Sequence, residues 1–459
     1  MIRACPGGID WVWPGILSIY AKKKREGVRI ISWRGISVLL LLLAGCGTPV
    51  VQDRMCTGLV AGSPGVVISS QSAPTPEATP VEMLRADVAA RTARMIAARV
   101  APRPVAEAAV VVGPAIAGAG PVTPSFARAR TARVAPQVVE IDLLAMTTGG
   151  QYGSFSSGFL SGWGQRTAGP RPEFAVVTGA SAGGIIAPLV FAGRAFDDRL
   201  TLNTGIGEAD VVRRRAVIEL LGASSLFSTA PLERAVRNAA DDALIAAIAA
   251  RWADGNDLFL GATNLDRGRF DLFDIGGFMA DGTIPLAEKR ECLVSAVMAT
   301  SAIPALFPPR RINGDLYTDA GVRQSVFLRG VRDGILESQR LLGVRVRVNA
   351  YVLVNGDLTV SVRRTESGLL GIAGRTFQLV SDEGLRQSLI ETADLARESG
   401  WTLRAVRAPE FDTLGCGKDG ALFSACVTAA LFRAGEAMAL APEIGWLTGA
   451  ELKRIAGEY

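Results

Sequence analysis

Residues 174–189 read FAVVTGASAGGIIAPL. An apolar run enters Gly179-Ala180-Ser181-Ala182-Gly183, and a second apolar run leaves it. A strand that passes into a helix through small residues serves one of two chemistries. One is a glycine turn that holds the pyrophosphate of a dinucleotide. The other is a Gly-x-Ser-x-Gly elbow, whose strained bend lifts a serine hydroxyl clear of the backbone.

The nucleotide reading, written as in short-chain dehydrogenases, makes demands that the chain does not meet. A further glycine should close the turn, but Ile185-Ile186-Ala187 follow Gly183-Gly184. A Tyr-x-x-x-Lys pair should supply the acid, and the chain has it only at Tyr20 and Lys24, near its start. The motif should also begin the domain, whereas a complete strand, glycine loop and helix precede it. The elbow reading needs only small residues at 179 and 183, so that strand end and helix start pack without side-chain clash. Both positions are glycine.

Composition narrows the chemistry further. The 459 residues include no histidine. That excludes a Ser-His-Asp triad, a Cys-His dyad and any histidine-ligated metal. A base for Ser181 must then be a carboxylate or an amine. The formal charge of +5 does not indicate a nucleic-acid partner. Seven basic and two acidic side chains within residues 1–45 account for all of it, and the neutral remainder lacks the positive footprint that phosphates require.

Two more stretches complete a site. TTGGQYGSF (147–155) is a glycine-rich loop between the first strand and its helix, and its bare N–H groups suit an oxyanion. SAIPALFPPRRINGDLYTDAG (301–321) ends in Asp319-Ala320-Gly321, a carboxylate between small residues. In the absence of histidine, Asp319 is the natural base for Ser181. Asn264 and Asp266 read as turn residues. Arg310 and Arg311 fit a lipid headgroup or a solvated face equally well.

In this order, the glycine loop, Gly-x-Ser-x-Gly, Ser-Ala-Ile-Pro-x-x-Phe-Pro-Pro and Asp-x-Gly resemble the patatin-like phospholipase family over roughly residues 138–442. The resemblance implies a three-layer α/β/α domain with a mostly parallel central sheet. It implies hydrolysis of acyl-ester lipids, membrane phospholipids among them, of phospholipase A or lysophospholipase type and without cofactor or metal. It makes Ser181 the nucleophile and Asp319 the general base. Gly149, Gly150 and Gln151, with the N–H of Ala182, would hold the oxyanion, and Gly179 and Gly183 would frame the elbow. Three positions depart from the family pattern. Thr148 stands at the loop's first glycine, Tyr152 at its basic residue, and Ala320 follows the aspartate. A catalytically inactive lipid binder and an acyltransferase using the same Ser-Asp dyad are the alternative readings.

The flanks read as follows. Residues 1–45 form a long leader, with a basic region and an apolar run Ile36–Leu43 too short to span a bilayer. Val28 is an alternative start. Leu43-Ala44-Gly45-Cys46 resembles the bacterial lipobox, which predicts acylation at Cys46 and a lipid-anchored protein of the cell envelope, at the outer membrane or on the periplasmic face. Residues 46–137 are rich in Ala and Pro and read as a tether with a short helix over 83–100. The catalytic domain is expected over 138–442 and a tail over 443–459. Strands are predicted at QVVEIDLLAM, EFAVVTGAS, DLFLGATNL, RVNAYVLVN and WTLRAVRA. Helices are predicted at 210–221, 231–253, 286–301, 375–397 and 421–440, with a kink at Pro188. In an exported chain Cys416 and Cys426 form the best candidate disulfide, and Cys292 reads as a buried thiol.

Overall fold

The apolar strands of this chain are buried on both faces, which a sheet between two helical layers requires. The structure is a computed structural model and describes residues 51–61, 80–100, 138–216, 219, 223–356, 358, 364–365, 367–417 and 421–458. The expected leader and the acylation site Cys46 lie outside the described residues.

Twelve strands are described: β1 Asp53–Arg54, β2 Val138–Met146, β3 Val176–Ala180, β4 Arg213–Arg214, β5 Phe227–Ser228, β6 Asp257–Asn264, β7 Arg269–Asp274, β8 Arg310–Ile312, β9 Asp315–Thr318, β10 Arg345–Val354, β11 Thr402–Arg407 and β12 Leu447–Thr448. Ten form one sheet in the order β1-β8-β9-β6-β3-β2-β10-β11-β12, with β7 paired to β6. The five strands read from the sequence are its central parallel block, β6-β3-β2-β10-β11. Antiparallel additions border it: β7, β9 and β8 on one side and β12 on the other.

The period-two alternation of side chains divides the core. Leu144, Met146, Val177, Leu258, Leu260 and Leu353 face one layer, built from α2 Gly153–Gln165, α3 Ala182–Ala192, α4 Ala230–Ala239, α5 Asp242–Ala253, α6 Ile275–Ala280, α7 Leu286–Thr300 and α10 Ala425–Leu440. Ile141, Leu143, Val176, Phe259 and Val348 face the other, where α1 Pro80–Val100 and α8 Arg329–Leu342 pack. On that same face α9 Leu369–Ser399 and α11 Gly449–Gly457 cover Ala350, Val352 and Ala405. Phe155, Phe159 and Trp163, read as one helix face, are buried on α2; Phe155 and Phe159 meet at a tilt, and edge contacts continue from Phe159 through Trp163 to Phe174, Tyr351 and Trp446.

Several boundaries differ from the sequence reading. Part of the expected tether belongs to the folded body. Asp53 and Arg54 add β1 beside β8, Cys56 is disulfide-bonded to Cys292, and Arg91 of α1 forms a buried ion pair with Asp274. Cys292 is therefore not a free thiol: its helix position is apolar, but the partner comes from 236 residues upstream. The pair Cys416–Cys426 is present as expected. The C-terminal residues are no tail, because β12 extends the sheet and Leu452 and Ala456 of α11 are buried. Of the helix predicted over 210–221, the described residues show a single turn Glu208–Val211, then Arg213 and Arg214 paired with β5, and a helical Glu219 whose neighbours lie outside the described residues. Ala240 and Asp241 split the helix predicted over 231–253, and Asp241 caps the second half by accepting from the Leu244 N–H. Pro188 is accommodated inside a continuous α3.

Candidate active site

The edges of β6 bring the site together. β7 occupies one edge along 259–264. On the other edge β3 pairs in parallel up to Ala180↔Gly261, and β9 pairs antiparallel from Thr318↔Thr263. The two strands share one edge and run head-on, so the residues that follow them, Ser181 and Asp319, meet between their ends. Ser181 Oγ donates to Asp319 Oδ2 at 2.6 Å. The pairing of β8 with β9 through Asn313-Gly314, with φ of 53° and 86°, supplies this second strand. A two-residue loop with positive φ at both positions is a hairpin turn whose twist matches its strands.

Ser181 is the bend itself. Its φ of 50° and ψ of −117° lie outside the regions open to a side chain without strain. The neighbours impose that geometry. A Cβ on Gly179 would lie 2.6 Å from the Gly183 carbonyl oxygen, and one on Gly183 would lie 2.4 Å from the Met146 oxygen. Thr300 clamps the turn from α7. Its Oγ1 accepts from the Ser181 N–H at 3.0 Å and donates to the Gly261 carbonyl. No motif marks Thr300 in the sequence. Its only sign is a hydroxyl in an apolar helix beside SAIP.

Asp319 is 2% exposed. Its Oδ1 accepts from the Gly321 N–H at 2.7 Å while Oδ2 accepts from Ser181 Oγ. Its own N–H donates to Ala302 O at 2.9 Å, and its carbonyl accepts from Thr263 Oγ1 at 2.9 Å. Burial pushes the carboxyl up to about 6, against the pull of hydrogen bonds from Ser181 and Gly321. Ala320 begins a 3-10 turn without positive φ, so its methyl is tolerated where the family carries glycine.

The glycine loop lies on the other side of Ser181. Gly150, Gln151, Ser181 and Ala182 line one pocket. Among the described residues, no acceptor is bonded to the N–H of Gly150, Gln151 or Ala182. Gly149, expected among the oxyanion residues, does not line this pocket. It packs on Asn355, where a Cβ would come 1.3 Å from the carbonyl oxygen. Asn355, a second residue that sequence reading missed, holds the loop. Its N–H donates to Thr147 Oγ1 at 2.8 Å and its Nδ2 to Thr147 O at 3.0 Å, while its Oδ1 accepts from Ser156 at 2.5 Å.

The pocket is a narrow cavity of about 70 Å³. Beyond the polar groups near Ser181, its wall is apolar: Ile185, Ile206, Val211, Leu232, Phe307 and Phe423. This arrangement offers a hydroxyl with a buried basic acceptor, free N–H donors beside it, and an apolar compartment for the substrate.

The remaining candidates are structural. Asn264 accepts from the Arg267 N–H and donates to Asp271, Asp315 and Tyr317, which makes it the turn residue expected. Asp266 and Arg311 pair with each other, and Arg310 pairs with Glu233.

Residues 144–331 match the family model described as patatin-like phospholipase. The match contains Ser181, Asp319 and the glycine loop; Asn355 and Phe423 lie beyond it. No curated protein matches the chain significantly. Among solved structures, the chain is similar to VipD from Legionella pneumophila at 12% identity and a TM-score of 0.34, covering 66% of this chain and 67% of that one.

Proposed function

Because residues 144–331 carry a patatin-like phospholipase domain, we propose that the protein is a serine hydrolase of lipid acyl esters that works through a Ser181–Asp319 dyad. The observation that carries this reading is the 2.6 Å hydrogen bond from Ser181 Oγ to Asp319 Oδ2. It is made at a strained bend beside an apolar pocket with unengaged N–H donors.

As Oγ attacks the ester carbonyl carbon, its proton passes to Asp319 Oδ2. The carbonyl electron pair moves onto oxygen, which the N–H groups of Gly150, Gln151 and Ala182 receive. Collapse breaks the bond to the alcohol, and that alcohol leaves with the proton from Asp319. The acyl-serine is then attacked by water, whose proton goes to Asp319 and returns to Ser181 Oγ. A carboxylate is an ordinarily weak base. Burial that lifts Asp319 to about 6 makes it a better proton acceptor while leaving it ionised at neutral pH.

Membrane phospholipid or a lysophospholipid is the substrate class proposed, because an apolar wall suits a hydrocarbon chain while Ser154, Asn203 and Ser301 add polar groups to the same pocket. Acylation at Cys46 in the cell envelope is part of the same reading. It is supported by Leu-Ala-Gly-Cys in the sequence and by two disulfides, which persist in oxidising compartments.

The test is turnover of p-nitrophenyl butyrate and of phosphatidylcholine vesicles by the purified protein and by Ser181→Ala. Loss of at least about a thousandfold in kcat/KM is expected for the variant. Equal rates for the two proteins would end the proposal.

A further inference from the structure

The apolar pocket is not closed by the family-matched residues alone. Phe423 and Thr428, on either side of Cys426 of the disulfide Cys416–Cys426, also line it. Phe423 lines the pocket and packs against the small cluster of Val211, Phe227 and Phe307, of which Val211 and Phe307 also line it. Its flanking backbone is tied on both sides. The Leu422 N–H donates to Glu208 Oε2 at 3.0 Å, on the turn that carries Val211. The Ser424 N–H donates to Gln151 Oε1 at 3.1 Å, on the glycine loop beside Ser181. From the following helix, Thr428 Oγ1 donates to Ile206 O at 2.9 Å.

We propose that Phe423, held in place by the Cys416–Cys426 disulfide, decides which acyl chains the pocket admits, and that the Ser424–Gln151 bond ties this choice to the loop that receives the carbonyl oxygen. The proposal rests on the acyl-hydrolase reading and adds the determinant of its substrate. The physical reason is that Phe423 sits on an irregular segment, and its ring is only partly buried. Such a segment stays in one position only if something outside it fixes its ends. The disulfide fixes one end, ten residues from its partner cysteine, and the start of α10 fixes the other.

The consequence is a signed one. A smaller side chain at 423 lengthens the compartment and a larger one shortens it, and in a hydrophobic pocket each methylene gained or refused is worth about tenfold or more in kcat/KM. The experiment compares kcat/KM for p-nitrophenyl esters of four, eight and twelve carbons in the full-length wild type, Phe423→Ala, Phe423→Trp and the double variant Cys416→Ser/Cys426→Ser. Folding is checked by circular dichroism, and labelling of Ser181 by a short fluorophosphonate is followed in each.

The ratio of twelve-carbon to four-carbon kcat/KM should rise at least about tenfold in Phe423→Ala and fall in Phe423→Trp, chiefly through KM. In the double cysteine variant the selectivity between chain lengths should flatten. A purely structural role for Phe423 would lower all esters alike and would not reverse sign between Ala and Trp. Labelled variants whose ratios stay within about twofold of wild type would overturn the proposal and leave the dyad intact. A wild type that neither labels at Ser181 nor turns over any ester would bring down the hydrolase reading itself, and this proposal with it.

Discussion

Ser181 and Asp319 directly follow β3 and β9, which run toward each other along one edge of β6 and end opposite Gly261 and Thr263. A hydroxyl and a carboxylate 138 positions apart in sequence are thereby held at 2.6 Å without a bridging side chain. The relationship is one of strand register. It depends on where β3 stops, where β9 starts, and how Thr300 and Gly321 hold the two side chains.

The first expectation concerns pH. Asp319 must be ionised to take the serine proton, and its folded-state value lies near 6. In the proposed mechanism kcat/KM should be level above about pH 7 and fall about tenfold per unit below about 6. A profile on a non-titrating ester checks this. A limb centred near the ordinary aspartate value, close to 4, would contradict it.

The same burial has a stability consequence. Because the folded-state pKa is raised, the carboxyl favours the folded state when protonated. That contribution is complete below about pH 4 and is lost as pH rises through about 6. Asp319→Asn removes the buried charge and keeps the hydrogen-bonding shape. It should be inactive yet more stable than wild type at pH 8, by on the order of 2–3 kcal/mol, with the gap closing by pH 4. Chemical denaturation at the two pH values reads the difference, and a variant less stable at pH 8 would contradict the account.

Neighbouring glycines should respond unequally. A methyl at Gly149 meets the Asn355 carbonyl, whereas one at Gly150 meets nothing within 4 Å and carries only the strain of a φ of 54°. Gly150→Ala should cost about 1–2 kcal/mol of stability. Gly149→Ala should cost far more, because backbone must move, and should displace the N–H groups beside Ser181. Thermal melts of the pair check this, and equal losses would show that Asn355 does not hold the loop.

Removing the long-range disulfide isolates the role of residues 51–61. Cys56→Ser should lower stability by about 2–5 kcal/mol, since it frees a segment that otherwise supplies β1 and the Asn313 contacts with Cys56. Turnover per folded molecule should persist, because the bond lies away from Ser181. Melting and active-site titration together test this, and a large fall in turnover by folded protein would contradict it.

Much of the site was legible because its groups sit in short local motifs. The elbow, the glycine loop and Asp319 each announce themselves within a few residues, and the missing histidine leaves the carboxylate as base. The central strands were legible for a similar reason: they are continuous apolar runs. What was hidden depends on distant partners. Thr300 and Asn355 are ordinary polar residues until the sheet brings them to Ser181 and Thr147. Cys292 reads as a core thiol until Cys56 arrives from another segment. β7, β8 and β9 are mixed in character, with arginines and aspartates paired across the surface, so they lack the apolar signature of the parallel block. β12 and α11 were read as a tail because two strand residues are too few to show a period.

The most direct measurement of the central claim is the rate at which a fluorophosphonate modifies Ser181, located by peptide mass spectrometry, in wild type and in Asp319→Asn. The account predicts an adduct on Ser181 in wild type and a rate lower by about a hundredfold or more in the variant. A wild type unmodified at Ser181, or a variant modified as fast as wild type, would contradict it.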